Sequence, residues 1–308
     1  MGLVILCPGQ GTQHAGMFAT LAGDPLVREV IEAASDLVDI DLLRLEVAAP
    51  GARLFDNAIA QPLVCAAVLG AWRALAPRIE APPLAFAGYS VGEIAAYGCA
   101  GALDFAGTLQ LAQRRAALMD ACARARGGML ALRGLSEAHV SALCAGREAA
   151  IAIANGDDHF VVGGAHDALD AIEQHAVQEG AHTVRRLSVA IVSHSAALSD
   201  AASEFELVLA ACGAHDPGIP VFAGIDGSVV DAWPRATRCL SAQLRQAIRW
   251  DLCMESAIER GATAFFELGP GAALSRMLQL SHPGVPARSL ADFRTISGAA
   301  RWIESVVS

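Results

Sequence analysis

Residues Leu3-Val-Ile-Leu-Cys7 are apolar at every position, and Pro8-Gly9-Gln10-Gly11 stop the run. A strand with one wet face alternates apolar and polar residues. A strand apolar throughout must be covered on both faces, which is the condition of a parallel strand inside an α/β sheet. A similar apolar run occurs at Leu84-Ala-Phe-Ala87, and a strand pattern at 264–268 is interrupted only by Glu267; each is followed by glycine and then a helical pattern. Helical patterns at 24–38, 57–75 and 103–126 lie between these strands, the last with Asp104 as N-cap and Gly127-Gly128 closing it. The order predicts an α/β chain around a buried parallel sheet.

Residues 127–189 carry a different rhythm. A strand at 129–132 precedes a helix at 136–145 opened by Ser136. Strands follow at 149–154 and 160–162, then a helix at 167–178 and a strand at 183–189. This β-α-β-β-α-β order is the split ferredoxin-like pattern and predicts a small inserted domain. The rest returns to α/β, with a strand at 221–223, helices near 237–249 and 254–260, and Gly269-Pro-Gly271 opening a helix. The expected division is a large domain of 1–126 and 190–308 and a small one of 127–189.

Composition narrows the function. With 54% hydrophobic and 18% charged residues, the chain is too apolar for disorder. Its net charge of −10 excludes nonspecific binding to nucleic acid or to an anionic membrane. All 22 basic residues are arginine, so neither a phosphate-loop lysine nor Schiff-base chemistry is available. The uncharged segment 57–72 is interrupted by Asn57, Gln61 and Pro62 and is too short to span a bilayer. No positive n-region opens the chain, and the eight scattered cysteines include no CxxC pair. These features predict a cytoplasmic protein with reduced thiols and no metal site.

The chemistry concentrates at Gly88-Tyr89-Ser90-Val91-Gly92. An apolar strand before it and a helix after it place Ser90 on a tight turn above the sheet edge, with the helix N-terminus and the Val91 N–H aimed at a carbonyl under attack. The alternative is a serine that merely caps a helix. A serine hydroxyl needs a base, and His194 stands out in Val189-Ala-Ile-Val-Ser-His194-Ser, at the end of an apolar strand among small residues. It reads equally as a packed histidine. The Gly-rich loop Pro8-Gly-Gln-Gly-Thr-Gln13 lacks the GxGxxG spacing, and its backbone N–H groups could supply a second oxyanion donor. A simple strand-ending turn is the alternative there.

Taken together, Pro8-Gly-Gln-Gly-Thr-Gln13, Gly88-Tyr-Ser-Val-Gly-Glu93, Arg115, Ser193-His194-Ser195 and Glu267-Leu-Gly-Pro-Gly271 resemble the malonyl-CoA:acyl-carrier-protein transacylase family in order and spacing, over essentially the whole chain and with Asn155 in the small domain. The resemblance implies an α/β-hydrolase-like large domain with a ferredoxin-like insert and the active site between them. It implies Ser90 as the acylated nucleophile, His194 as the base, and the N–H groups of Gln10 and Val91 as the oxyanion hole. Arg115 takes the place of the arginine that holds the malonyl carboxylate, and the backbone carbonyl of Arg249 that of the group orienting the histidine.

Tyr89 stands where the housekeeping enzyme usually has histidine. With the tail Ala287-Arg-Ser-Leu-Ala-Asp-Phe-Arg294 it is more similar to the malonyl-transferase (epsilon) subunit of bacterial malonate decarboxylase. The expected reaction moves malonyl from malonyl-CoA to the phosphopantetheine-type thiol of an acyl-carrier protein, the carrier subunit of that decarboxylase, with other decarboxylase subunits as further partners. No bound cofactor is implied. The alternatives are a transacylase of fatty-acid synthesis, a serine hydrolase or thioesterase, and a non-catalytic subunit that docks the carrier. For an acidic carrier the expected docking groups are Arg124, Arg126, Arg185, Arg186, Arg245 and Arg249.

Overall fold

The uniformly apolar run at the start becomes β1 (Gly2–Cys7), an inner strand of a six-stranded sheet. In the computed structural model, residues 2–19, 21–45, 51–122, 127–189 and 191–307 are described. The sheet order is β11 (Ala287–Ser289), β10 (Ala262–Glu267), β1, β2 (Ala85–Gly88), β7 (Val221–Phe222) and β8 (Val229–Val230). All neighbours are parallel except β7 and β8. Leu3, Ile5 and Cys7 enter one core, while Val4 and Leu6 enter the other. Both faces are therefore dry, which explains a run with no polar position. Burying such a side chain contributes roughly 1.5–3 kcal/mol.

The first face carries α1 (Pro25–Val38), α2 (Asn57–Leu75), α3 (Gly92–Cys99), α4 (Phe105–Cys122), α7 (Ser199–Ala211), α8 (Trp233–Arg245) and α11 (Ile296–Val307). Asp104 caps α4 as expected, its Oδ1 accepting the Gly107 N–H at 2.7 Å. Helix α2 has the length and apolarity of a membrane-crossing helix, but it is buried inside this layer on nearly every side. The second face is covered by α9 (Trp250–Glu259), α10 (Ala273–Ser281) and one side of a second sheet.

That second sheet has the order β6 (Thr183–Arg186), β3 (Gly127–Arg133), β5 (His159–Ala165), β4 (Ala149–Gly156) and β9 (Ile248–Arg249). Its first four strands are antiparallel and alternate with α5 (Glu137–Cys144) and α6 (His166–Gln178) in the predicted β-α-β-β-α-β order. Leu130, Leu132, Phe160 and Val162 pack under those helices, while Met129, Ile153 and Val161 turn toward the larger sheet.

Three expectations fail here. Gly127-Gly128 do not close α4 but open β3. The helix expected near 237–249 ends at Arg245, because Gln246 is extended, and Ile248–Arg249 instead pairs in parallel with Ile153 and Ala154. The small sheet thus takes its fifth strand from a segment of the large body. The strand expected over 183–189 stops at Arg186. Leu187 adds one more bond, its N–H donating to the Met129 carbonyl at 2.9 Å, and it lines the cavities of the cleft with Ser188, while Ile191 is buried in the first core. The ends expected at Arg126 and Ala190 for the two domains lie outside the described residues.

Candidate active site

The register of the large sheet assembles the site. Leu6 pairs with Ala87 and Cys7 with Gly88, so the loop after β1 lies beside the loop after β2, and the Tyr89 N–H donates to the Cys7 carbonyl at 2.9 Å. Between them Ser90 adopts φ +55°, a left-handed conformation that serine rarely takes. Helix α3 starts two residues later. The glycines on either side allow this close passage: a Cβ on Gly88 would lie 2.1 Å from Glu93 Cα, and one on Gly92 2.1 Å from the Cys7 carbonyl oxygen. Strain of this kind is held only where the surroundings fix the turn.

His194 reaches this serine from an irregular segment, not from a strand end. It too has a left-handed backbone, at φ +58°. Its Nε2 lies 2.9 Å from Ser90 Oγ, and its Nδ1 lies 2.6 Å from the Gln243 carbonyl oxygen. A carbonyl only accepts, so the proton resides on Nδ1 and Nε2 turns a lone pair to the serine hydroxyl. Burial pushes the imidazole down to about 3, the positive Arg115 adds to this, and the Gln243 bond opposes it. The ring is a neutral base throughout the neutral range.

The orienting carbonyl is therefore that of Gln243, near the end of α8, and not that of Arg249. Arg249 is the N-cap of α9, with its N–H on the Gly224 carbonyl at 2.7 Å and its guanidinium on Asp251 at 2.6 Å. Its backbone serves the β9 turn into that helix. Nothing in the local sequence distinguishes the carbonyl of Gln243 from its neighbours, and only the path of α8 brings it to the imidazole.

Arg115 points from α4 into the same space and is only 2% exposed. Its Nη1 donates to Gln61 Oε1 at 2.9 Å, and its Nη2 lies 3.4 Å from both Ser90 Oγ and Gln243 Oε1. Among the described residues no carboxylate lies within ion-pair distance of it. Burial lowers this guanidinium to about 10, which still leaves it cationic at neutral pH. A buried cation held only by amide and hydroxyl oxygens is a site for an anion. Gln61 was visible in the sequence only as a polar interruption of an apolar helix.

Val91 and Gln10 flank Ser90 on the two adjacent loops. Among the described residues, neither backbone N–H has a protein acceptor. Ser90, His194, Arg115 and Gln10 line an inner cavity of about 70 Å³. Gln10 and Tyr89 also line an outer cavity of about 340 Å³ that runs past Asn155, His159, Arg185 and Met277. Tyr89 donates to Asn155 Oδ1 at 3.0 Å and stacks edge-on against Trp250, tying the elbow to the small sheet. The cleft between the two sheets thus holds a half-buried serine hydroxyl against a buried neutral imidazole, a buried guanidinium beside them, and a channel to the surface.

The acyl transferase domain family matches residues 4–290. A malonyl CoA-acyl carrier protein transacylase of Mycobacterium bovis is 34% identical over 291 residues, covering 94% of this chain and 96% of its own. The chain belongs to the malonyl-CoA:acyl-carrier-protein transacylase family. It is an acyltransferase. Among solved structures, the transacylase of this family from Coxiella burnetii superposes with a TM-score of 0.93 at 28% identity, covering 100% of this chain and 98% of that one. Another, from a type II PKS acyl-carrier protein in complex with its malonyl-transacylase, superposes at 0.91 with 27% identity, covering 98% of this chain and 99% of the other.

The arginines expected to dock the family's carrier are not equivalent. Arg186 is paired with Asp170 at 2.6 Å and Glu173 at 3.0 Å, and Arg249 with Asp251. Arg185 and Arg245 are exposed, and Arg185 sits on the rim of the outer cavity. Arg124 and Arg126 lie outside the described residues.

Proposed function

We propose that this acyltransferase moves malonyl from malonyl-CoA to the phosphopantetheine-type thiol of an acyl-carrier protein. The observation that carries the reading is Arg115: a buried guanidinium with no carboxylate partner among the described residues, 3.4 Å from the hydroxyl of Ser90. Malonyl differs from acetyl by one carboxylate, and a two-pronged guanidinium matches it.

In this reading Ser90 Oγ attacks the thioester carbonyl as His194 Nε2 takes its proton. The N–H groups of Gln10 and Val91 receive the oxyanion. The CoA sulfur leaves and takes the proton from the imidazolium, which leaves malonyl-Ser90. The carrier thiol then repeats the sequence in reverse, giving its proton to His194 and releasing Ser90. We read 1–126 and 190–308 as an α/β-hydrolase-like domain and 127–189 as a ferredoxin-like one, in a cytoplasmic protein without a bound cofactor.

Relatives named as transacylases favour the fatty-acid or polyketide type of acceptor over the decarboxylase carrier, whose support is Tyr89 and the tail alone. The test loads the enzyme from malonyl-CoA and offers a fatty-acid carrier, a malonate decarboxylase carrier, pantetheine or water. Faster discharge to the fatty-acid carrier supports this reading. Preference for the decarboxylase carrier supports the epsilon-subunit alternative, and rapid discharge to water a hydrolase.

A further inference from the structure

Four polar side chains meet beneath the elbow in an otherwise apolar core. Gln61, Glu93 and Gln243 are fully buried, and Arg115 nearly so. Glu93 lies in the first turn of α3, three residues beyond the nucleophile. Its Oε2 accepts from the Gly224 N–H at 3.0 Å and from Gln243 Nε2 at 2.5 Å. That second bond decides which way the Gln243 amide faces. With Nε2 turned to the carboxyl, Oε1 turns to Arg115 Nη2. The other amide on the guanidinium is set the same way, because Gln61 Nε2 donates to Asn57 Oδ1 at 2.6 Å and leaves its Oε1 for Arg115 Nη1. Each amide oxygen that grips the fork is thus aimed by an acceptor behind it.

We propose that Glu93 and Gln243 are positioning residues that set the Arg115 fork and thereby select the acyl group. The inference rests on the reading of Arg115 as the carboxylate site. A carboxylate placed directly against Arg115 would hold the guanidinium as firmly, but it would occupy the donors that a substrate carboxylate needs. An amide between them transmits the orientation and leaves the charge unspent. Burial pushes the Glu93 carboxyl up to about 8, which further limits its neutralisation of Arg115. Gly224 belongs to the same arrangement: a Cβ there would lie 2.7 Å from Glu93 Oε2 and 3.2 Å from Gln243 Nε2. Gln243 meanwhile holds His194 through its main chain, so its side chain can be changed while that carbonyl stays.

The experiment measures single-turnover acylation of the full chain by malonyl-CoA and by acetyl-CoA, followed by intact mass, with thermal melts alongside. Glu93→Ala and Gln243→Met lower the malonyl-over-acetyl ratio by roughly tenfold or more, as expected for a misplaced hydrogen-bonding charge. Glu93→Gln restores most of the ratio, because a carboxamide oxygen still accepts from both N–H groups. A role confined to folding lowers the melting temperature and both acylation rates together with an unchanged ratio, and that result overturns the proposal. Should Glu93→Ala fail to fold, Gln243→Met and Glu93→Gln decide it in the same way. A parent enzyme with no malonyl preference overturns both this inference and the reading of Arg115. A parent with that preference and variants that keep it overturn this inference alone.

Discussion

Replacing Arg115 with alanine removes a buried cation from the cleft, and the structure sets the size of the effect. The guanidinium can offer a malonyl carboxylate two charge-assisted hydrogen bonds at roughly 1.5–3 kcal/mol each. Their loss totals roughly 3–6 kcal/mol, which slows malonyl acylation by about 10²–10⁴-fold. Acetyl has no carboxylate to lose, so the malonyl-over-acetyl ratio collapses. The fold also suffers, because Gln61 Oε1 and Gln243 Oε1 are left buried without their donor. Each orphan costs about 1–3 kcal/mol, enough to lower the melting temperature by several degrees. Arg115→Lys keeps the charge but not the fork, and it recovers only part of the ratio. The assay is rapid-quench acylation with each CoA ester, with calorimetry to separate folding from selectivity. A ratio within about twofold of the parent in a folded Arg115→Ala enzyme is too small for a lost charge-assisted bond and refutes the argument.

The pH dependence follows from His194, whose imidazole burial and Arg115 hold near 3. Acylation of free enzyme keeps its rate well below pH 6.5 before the acid limb begins, and a limb at or above 6.5 contradicts the assignment. The same depression makes the unfolded chain bind the extra proton between pH 6.5 and 3, so stability falls as pH drops through that window, and His194→Gln flattens this slope in denaturant titrations. At the surface, Arg185→Glu slows discharge to an acidic carrier at low salt and spares discharge to pantetheine, and the gap narrows at high salt. Arg186→Glu instead repels Asp170 and Glu173 and shows as lost stability, so equal carrier defects in the two variants contradict this division.

The fold was legible where one strand had to answer to two cores. The unbroken apolar run of β1 predicted a buried parallel strand, and Val4 and Ile5 face opposite layers as required. The elbow was equally visible, because Gly88 and Gly92 are demanded by backbone contacts that any side chain would block. His194 was found by the company it keeps, but its setting was misjudged. Residues that line a cleft between two sheets are as apolar as a strand, and composition does not distinguish pairing from lining. Gln243 was missed because a backbone carbonyl has no side-chain signature. Arg249 was favoured by the family resemblance, but it belongs to β9, a two-residue strand whose partner lies almost a hundred residues earlier. The pairing of Arg186 with Asp170 and Glu173 likewise depends on α6 lying near the edge strand β6. Long-range contacts of this kind follow from topology, not from local pattern.

The mechanism stands on a covalent malonyl group on Ser90. Intact mass of the full chain after mixing with malonyl-CoA, followed by peptide mapping, measures it directly. The parent gains one malonyl group on the peptide carrying Ser90, loses it when a carrier thiol is added, and Ser90→Ala, with an unchanged melting profile, gains none. An adduct that persists on Ser90→Ala, or that maps to another residue, removes Ser90 as the nucleophile.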